Sequence, residues 1–118
     1  MDRNLEKEAP NVVTEPLFRK LLAMGHQARV LCEGDAHLKS AVWYGVWTVR
    51  VVCADGTFEK ILVSHPRRAG DDEEIKIKIF RTINGLASFM HRMGFADFNV
   101  PFFEGGESFQ ALSERNES

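Results

Sequence analysis

The sequence predicts an α+β fold: a mostly antiparallel sheet of four to five strands with two helices packed on one face. Three observations lead there. Apolar and polar residues alternate through "QARVLCE", "VWYGVWTVRVV" and "IKIKIF", the two-residue period of strands with one buried face. The segments "TEPLFRKLLAMG" and "TINGLASFMHRMG" repeat their apolar residues at spacings of three and four, as amphipathic helices do. Asp55-Gly56 separates two strand-like runs, and Asp-Gly is a favoured pair at a hairpin tip.

Taken in order, residues 1–13 are polar, carry Pro10 and show no hydrophobic period, which predicts a flexible arm. Residues 14–104 form the single α+β domain. In its first helix Thr14 caps, Pro16 suits the first turn and Gly25 the left-handed residue past the end. Leu17, Phe18, Leu21 and Leu22 make the apolar stripe, with Arg19 and Lys20 toward water. In the following strand Ala28, Val30 and Cys32 face one way and Arg29, Leu31 and Glu33 the other. The turn-rich "GDAH" ends it.

A long hairpin comes next. A two-residue type I′ turn at Asp55-Gly56 sets Val51 opposite Lys60 and Arg50 opposite Ile61. Sliding by one residue opposes Arg50 and Lys60, two like charges. On the long strand the odd positions, Trp43 to Cys53, are apolar, so both tryptophans are expected on the core face. Gly45 between them marks a bulge or bend. The even face is mixed, with Val42, Tyr44, Val46, Thr48, Arg50 and Val52.

Residues 64–74 read as a polar loop in which Arg67 and Arg68 precede four acids. Beyond it Ile75, Ile77 and Ile79 are expected inward, and Lys76 and Lys78 toward solvent. In the second helix Thr82 caps, Ile83, Leu86, Ala87, Met90 and Met93 form the stripe, and Gly94 ends it. His91 and Arg92 suit the negative end of the dipole. Gly85 costs about 1 kcal/mol against alanine there, which suggests close packing. "FNVPF" reads as a final short strand, and residues 105–118 as a C-terminal tail, largely disordered beyond a docked turn at Phe109.

Composition narrows the function. At 118 residues the chain has the length of one domain, with 44% hydrophobic and 27% charged residues and a formal charge of -2, values of an ordinary globular protein. A near-neutral balance does not point to a general nucleic-acid or membrane binder. No secretory signal or transmembrane-length run is present. Cytoplasmic localisation is expected, with Cys32 and Cys53 as reduced thiols. No cofactor or metal is called for: His26, His37, His65 and His91 lack metal-pair spacing, and no phosphate-binding fingerprint appears.

The run "IFRTINGLASFMHRMGFADFNVP", residues 79–101, resembles the C-terminal segment of small plasmid-encoded partition and maintenance accessory proteins. The likeness is a pattern of strand, short helix, "MGF" and a strand ending in proline. It implies a bacterial accessory protein that acts by binding, and it carries over no site residue.

The resulting expectation is a non-enzymatic protein-interaction or regulatory module, self-associating as a homodimer or holding a protein partner. Its interaction face is Val42, Tyr44, Val46, Thr48 and Arg50, where apolar, aromatic and Arg side chains mix as interfaces do. The first alternative is nucleic-acid binding through Arg50, Arg67, Arg68, Lys76 and Lys78. The second is a small enzyme built on the Cys32, Asp35 and His37 corner.

Overall fold

In the computed structural model, which describes residues 11–53, 55–64 and 76–112, the elements are β1 (Val12–Val13), α1 (Glu15–Ala23), β2 (Gln27–Lys39), β3 (Val42–Val52), β4 (Glu59–Ser64), β5 (Lys76–Ile77), β6 (Phe80–Thr82), α2 (Ile83–Met93) and β7 (Glu107–Gln110). Neighbouring strands run β1-β4-β3-β2-β7, with β5 added to β4 and β6 to β3. The α+β class is as expected, but the sheet is larger and mixed: it has seven strands, and β1 lies parallel to β4. The single strand expected at "IKIKIF" is broken into β5 and β6, of two and three residues; β1, of two residues, is too short to show a period in the sequence, and β7 falls where a tail was expected.

Both helices form where the apolar spacing puts them. Gly25 and Gly94 follow them with φ of 103° and 105°, the left-handed conformation in which a side chain is strained. Thr82 Oγ accepts from the Gly85 N–H at 3.0 Å. A Cβ on Gly85 would lie 3.3 Å from that oxygen, so the cap explains the glycine. Thr14 occupies the same position before α1 but makes no side-chain cap bond.

Phe18 and Leu22 of α1 and Leu86, Phe89, Met90 and Met93 of α2 join one core cluster with Ala28, Val30, Cys32, Trp47, Val49 and Val51. The helices therefore share one face of the sheet, and Phe18 meets Phe89 at 5.6 Å between ring centroids. Each Val, Leu, Phe or Met side chain so taken from water contributes about 1.5–3 kcal/mol.

The β3–β4 register is the expected one, Arg50 to Ile61 and Val51 to Lys60. Its tip differs. Gly56 N–H donates to Cys53 O, and Gly56 but not Asp55 has positive φ, so the connection is not a two-residue type I′ turn. Asp55 Oδ1 instead accepts from Thr57 N–H at 3.0 Å and from the Cys53 thiol at 2.9 Å.

Five further expectations change. "GDAH" is no turn: β2 continues to Lys39, absorbing two register shifts, between Cys32 and Gly34 and between Gly34 and His37. Each shift adds one residue to β2, a β-bulge. The chain reverses at Ser40 and Ala41, with φ of 51° and 67°.

Trp47 is fully buried, but Trp43 is 37% exposed and meets the Phe102 ring edge-on at 5.0 Å. Both share a face by alternation, yet the core cluster reaches Trp47 and stops. Gly45 makes room for the Trp47 ring, which would lie 2.6 Å from a Cβ there.

Ile77 and Ile79 are exposed, because β5 pairs only with β4 through Val63 and Ser64 and the core alternation starts at Phe80; Ile75 lies outside the described residues. "FNVPF" forms no strand. Pro101 O accepts the Trp47 indole N–H at 2.8 Å, and residues 107–110, expected in the tail, pair with β2 as β7.

Candidate functional site

The sheet face away from the helices holds the expected interaction residues, and it divides into two parts. Its centre is closed by charge. Arg29 and Arg50 stand directly opposite on β2 and β3, an arrangement that repels unless compensated. Glu59 of β4 lies between them, paired with the Arg29 guanidinium and 3.3 Å from Arg50 Nε. Glu107 of β7 takes Arg29 from the other side at 2.7 Å.

Burial works against the charge on Arg29, but the hydrogen bonds to Glu107 and Glu59 outweigh it and raise its pKa. Arg50 also donates to Thr48 Oγ at 3.2 Å, and Thr48 donates to Glu33 at 2.9 Å. Thr48 is 4% exposed. Of the five expected face residues, Thr48 and Arg50 are thus engaged inside the molecule.

Val42, Tyr44 and Val46 lie beyond this network, toward the Ser40-Ala41 reversal. Here the face opens into a cleft of about 470 Å³ lined by Asp35, His37 and Lys39 of β2, Tyr44 and Val46 of β3, and Arg81 of β6. Tyr44 is opposite His37 in the ladder, and their rings stack with centroids 5.9 Å apart and planes 25° apart. Asp35 Oδ1 accepts from the Glu104 N–H at 2.7 Å. Lys39 and Arg81 form no ion pair among the described residues.

The basic set proposed for nucleic acid does not gather on this face. Arg50 is held by Glu59. Lys78 Nζ sits 5.3 Å over the Phe80 ring, and its side chain lines a groove with Thr14, Pro16 and Phe89 on the helix side. Lys76 is exposed on the short β5. Arg67 and Arg68 fall outside the described residues.

The Cys32, Asp35 and His37 corner also separates. Cys32 is fully buried in the core cluster, its thiol donating to Gly34 O at 3.1 Å. Burial pushes that thiol's pKa up, the reverse of what a nucleophile needs. Asp35 and His37 border the cleft instead. Among the described residues no group of three or more His, Cys, Asp or Glu is placed to hold a metal ion, and no helix is long and apolar enough to cross a membrane.

Lys39 and Arg81 escape a reading by motif. Arg81 was findable in principle: it follows the buried Phe80, and alternation sends it to the open face. Lys39 depends on β2 running through "GDAH", which no local signal announces. No family model, curated protein or solved structure matches the chain.

Proposed function

We propose that the chain is a non-enzymatic binding module, a regulatory accessory protein of a bacterial, plasmid-borne system, whose working surface is the Tyr44 end of the open sheet face. One observation carries this reading. Along a single face the central charges are paired with one another, whereas the end presents a cleft with an exposed aromatic pair and two cations, Lys39 and Arg81, that form no ion pair among the described residues. Charges and aromatics left without internal partners are what a partner engages. The likeness of residues 79–101 to plasmid maintenance proteins supplies the cellular setting of the proposal.

Native mass spectrometry of the wild type and of Val46→Asp, at low and moderate ionic strength, tests it. Val46 lines the cleft, so a carboxylate there disturbs whatever docks. The wild type is expected to carry a second copy or a bound species that the variant loses. A homodimer lost in Val46→Asp assigns the end to self-association through Val42, Tyr44 and Val46. Two identical spectra, whatever species they contain, overturn the reading.

A further inference from the structure

The cleft's chemistry is more specific than that of a general docking surface. Resting on the binding-module reading above, we infer that it is a site for a flat heteroaromatic ring carrying phosphate, the chemistry of a nucleotide, free or within a single strand.

The local backbone is built irregularly to make the cleft. Two bulges interrupt β2 within six residues, between Cys32 and Gly34 and between Gly34 and His37. Bulges re-aim side chains, and they concentrate beside sites. The β2–β3 reversal then places two residues with side chains, Ser40 and Ala41, at φ of 51° and 67°, a conformation costly for any residue but glycine. Asp35 and Ala36, within the second bulge, are fastened to the later chain: Asp35 accepts from Glu104 N–H at 2.7 Å, and Ala36 N–H donates to Phe102 O at 2.8 Å. The bulged strand is thus held in place from residues 102–104.

The side chains around that backbone suit a base and a phosphate. The His37–Tyr44 pair offers an aromatic platform, on which any base can stack through its π-face. The Arg81 guanidinium matches phosphate oxygens in a fork, and Lys39 adds a point charge. Against these two cations the described residues of the lining set one carboxylate, Asp35, already holding a backbone N–H, so the cleft favours an anion. The volume of about 470 Å³ falls in the range of small-molecule sites. An apolar peptide anchor fits less well: Val46 is the one aliphatic side chain in the lining, and peptide hot spots need a desolvated apolar pocket.

The test is an NMR titration of the full chain with adenosine 5′-monophosphate, adenosine, inorganic phosphate, a ten-nucleotide single strand and a short acidic peptide with one tryptophan. The monophosphate is expected to saturate, with shifts centred on His37, Tyr44 and Val46, and to bind at least about tenfold tighter than adenosine or phosphate alone. Tyr44→Ala and Arg81→Gln each weaken it about tenfold, the size of one lost stack or charged contact. Tyr44→Phe restores binding, which separates loss of the ring from loss of the fold.

A single strand that binds more tightly than the monophosphate, with steep salt dependence, identifies nucleic acid as the source; the converse identifies a free nucleotide. The inference is overturned if neither saturates, if phosphate alone binds as well, if the peptide binds in their place, or if Tyr44→Ala and Arg81→Gln bind like wild type. A persisting difference between wild type and Val46→Asp in native mass spectra would then leave the binding-module reading standing without this ligand.

Discussion

The two halves of β3 have similar composition and opposite fates. From Trp47 to Val51 the strand is closed on both sides, with Trp47, Val49 and Val51 in the core and Thr48 and Arg50 under the ion-pair network. From Val42 to Val46 it is open on both sides: Trp43 and Tyr44 are more than a third exposed, and Val42 and Val46 only half-buried. Alternation assigns a side chain to a face, but what lies over that face decides its burial. The helices cover one end of the strand, and Arg29, Glu59 and Glu107 cross only that same end.

The two tryptophans give the widest contrast. Trp47→Ala empties a fully enclosed indole site and removes its bond to Pro101 O, and is expected to cost about 3–5 kcal/mol. Trp43→Ala loses the edge contact with Phe102, at about 1 kcal/mol. Urea melts of both variants measure the difference; equal losses would mean that the open half is as tightly packed as the closed one.

A smaller contrast separates the arginines. Arg29→Ala releases Glu107 and half of the Glu59 pairing, an expected loss of about 1 kcal/mol because those carboxylates are themselves about 40% exposed and screened. Arg81→Gln should change stability by less than about 0.5 kcal/mol, since no ion pair among the described residues holds it. A destabilisation by Arg81→Gln as large as that by Arg29→Ala would break the division of the face.

A further contrast lies in pH. Cys32 belongs to the closed half, opposite Trp47, and burial raises its thiol pKa. The folded state therefore keeps a proton that the unfolded chain gives up above about pH 8.5, and stability falls as pH rises through that window. Relative to Cys32→Ala, the wild type is expected to lose at most about 0.8 kcal/mol between pH 7 and pH 9. A parallel alkaline profile in the variant would show that Cys32 is not what titrates.

What was legible in the sequence follows the same division. Helical spacing and terminal glycines locate α1 and α2, and charge opposition across the hairpin selects the true register of Arg50 and Ile61. Yet the same rule, applied locally, gives no hint that Arg29 faces Arg50, because the compensating Glu59 and Glu107 come from two other strands. Phe89, absent from the stripe read in the sequence, is 2% exposed because both Phe18 and Phe80 reach its ring. The cleft was partly visible: Tyr44 and Val46 were read as one candidate and Asp35 and His37 as another, without a sign that the four share one wall. That shared wall required β2 to pass through "GDAH" as a bulged strand, where glycine and aspartate signal a turn.

The bulges in β2 also cancel. Before them Cys32 points to the helices; after them Leu38, opposite Trp43, points the same way, since two single-residue offsets restore the strand's original parity. Removing one residue from this stretch would turn the hairpin tip over, exchanging the sides of His37 and Leu38. Removing two would shorten the strand and leave its tip upright. Length variation in this arm is therefore expected to come in steps of two, a parity constraint written into the number of residues rather than into their identity.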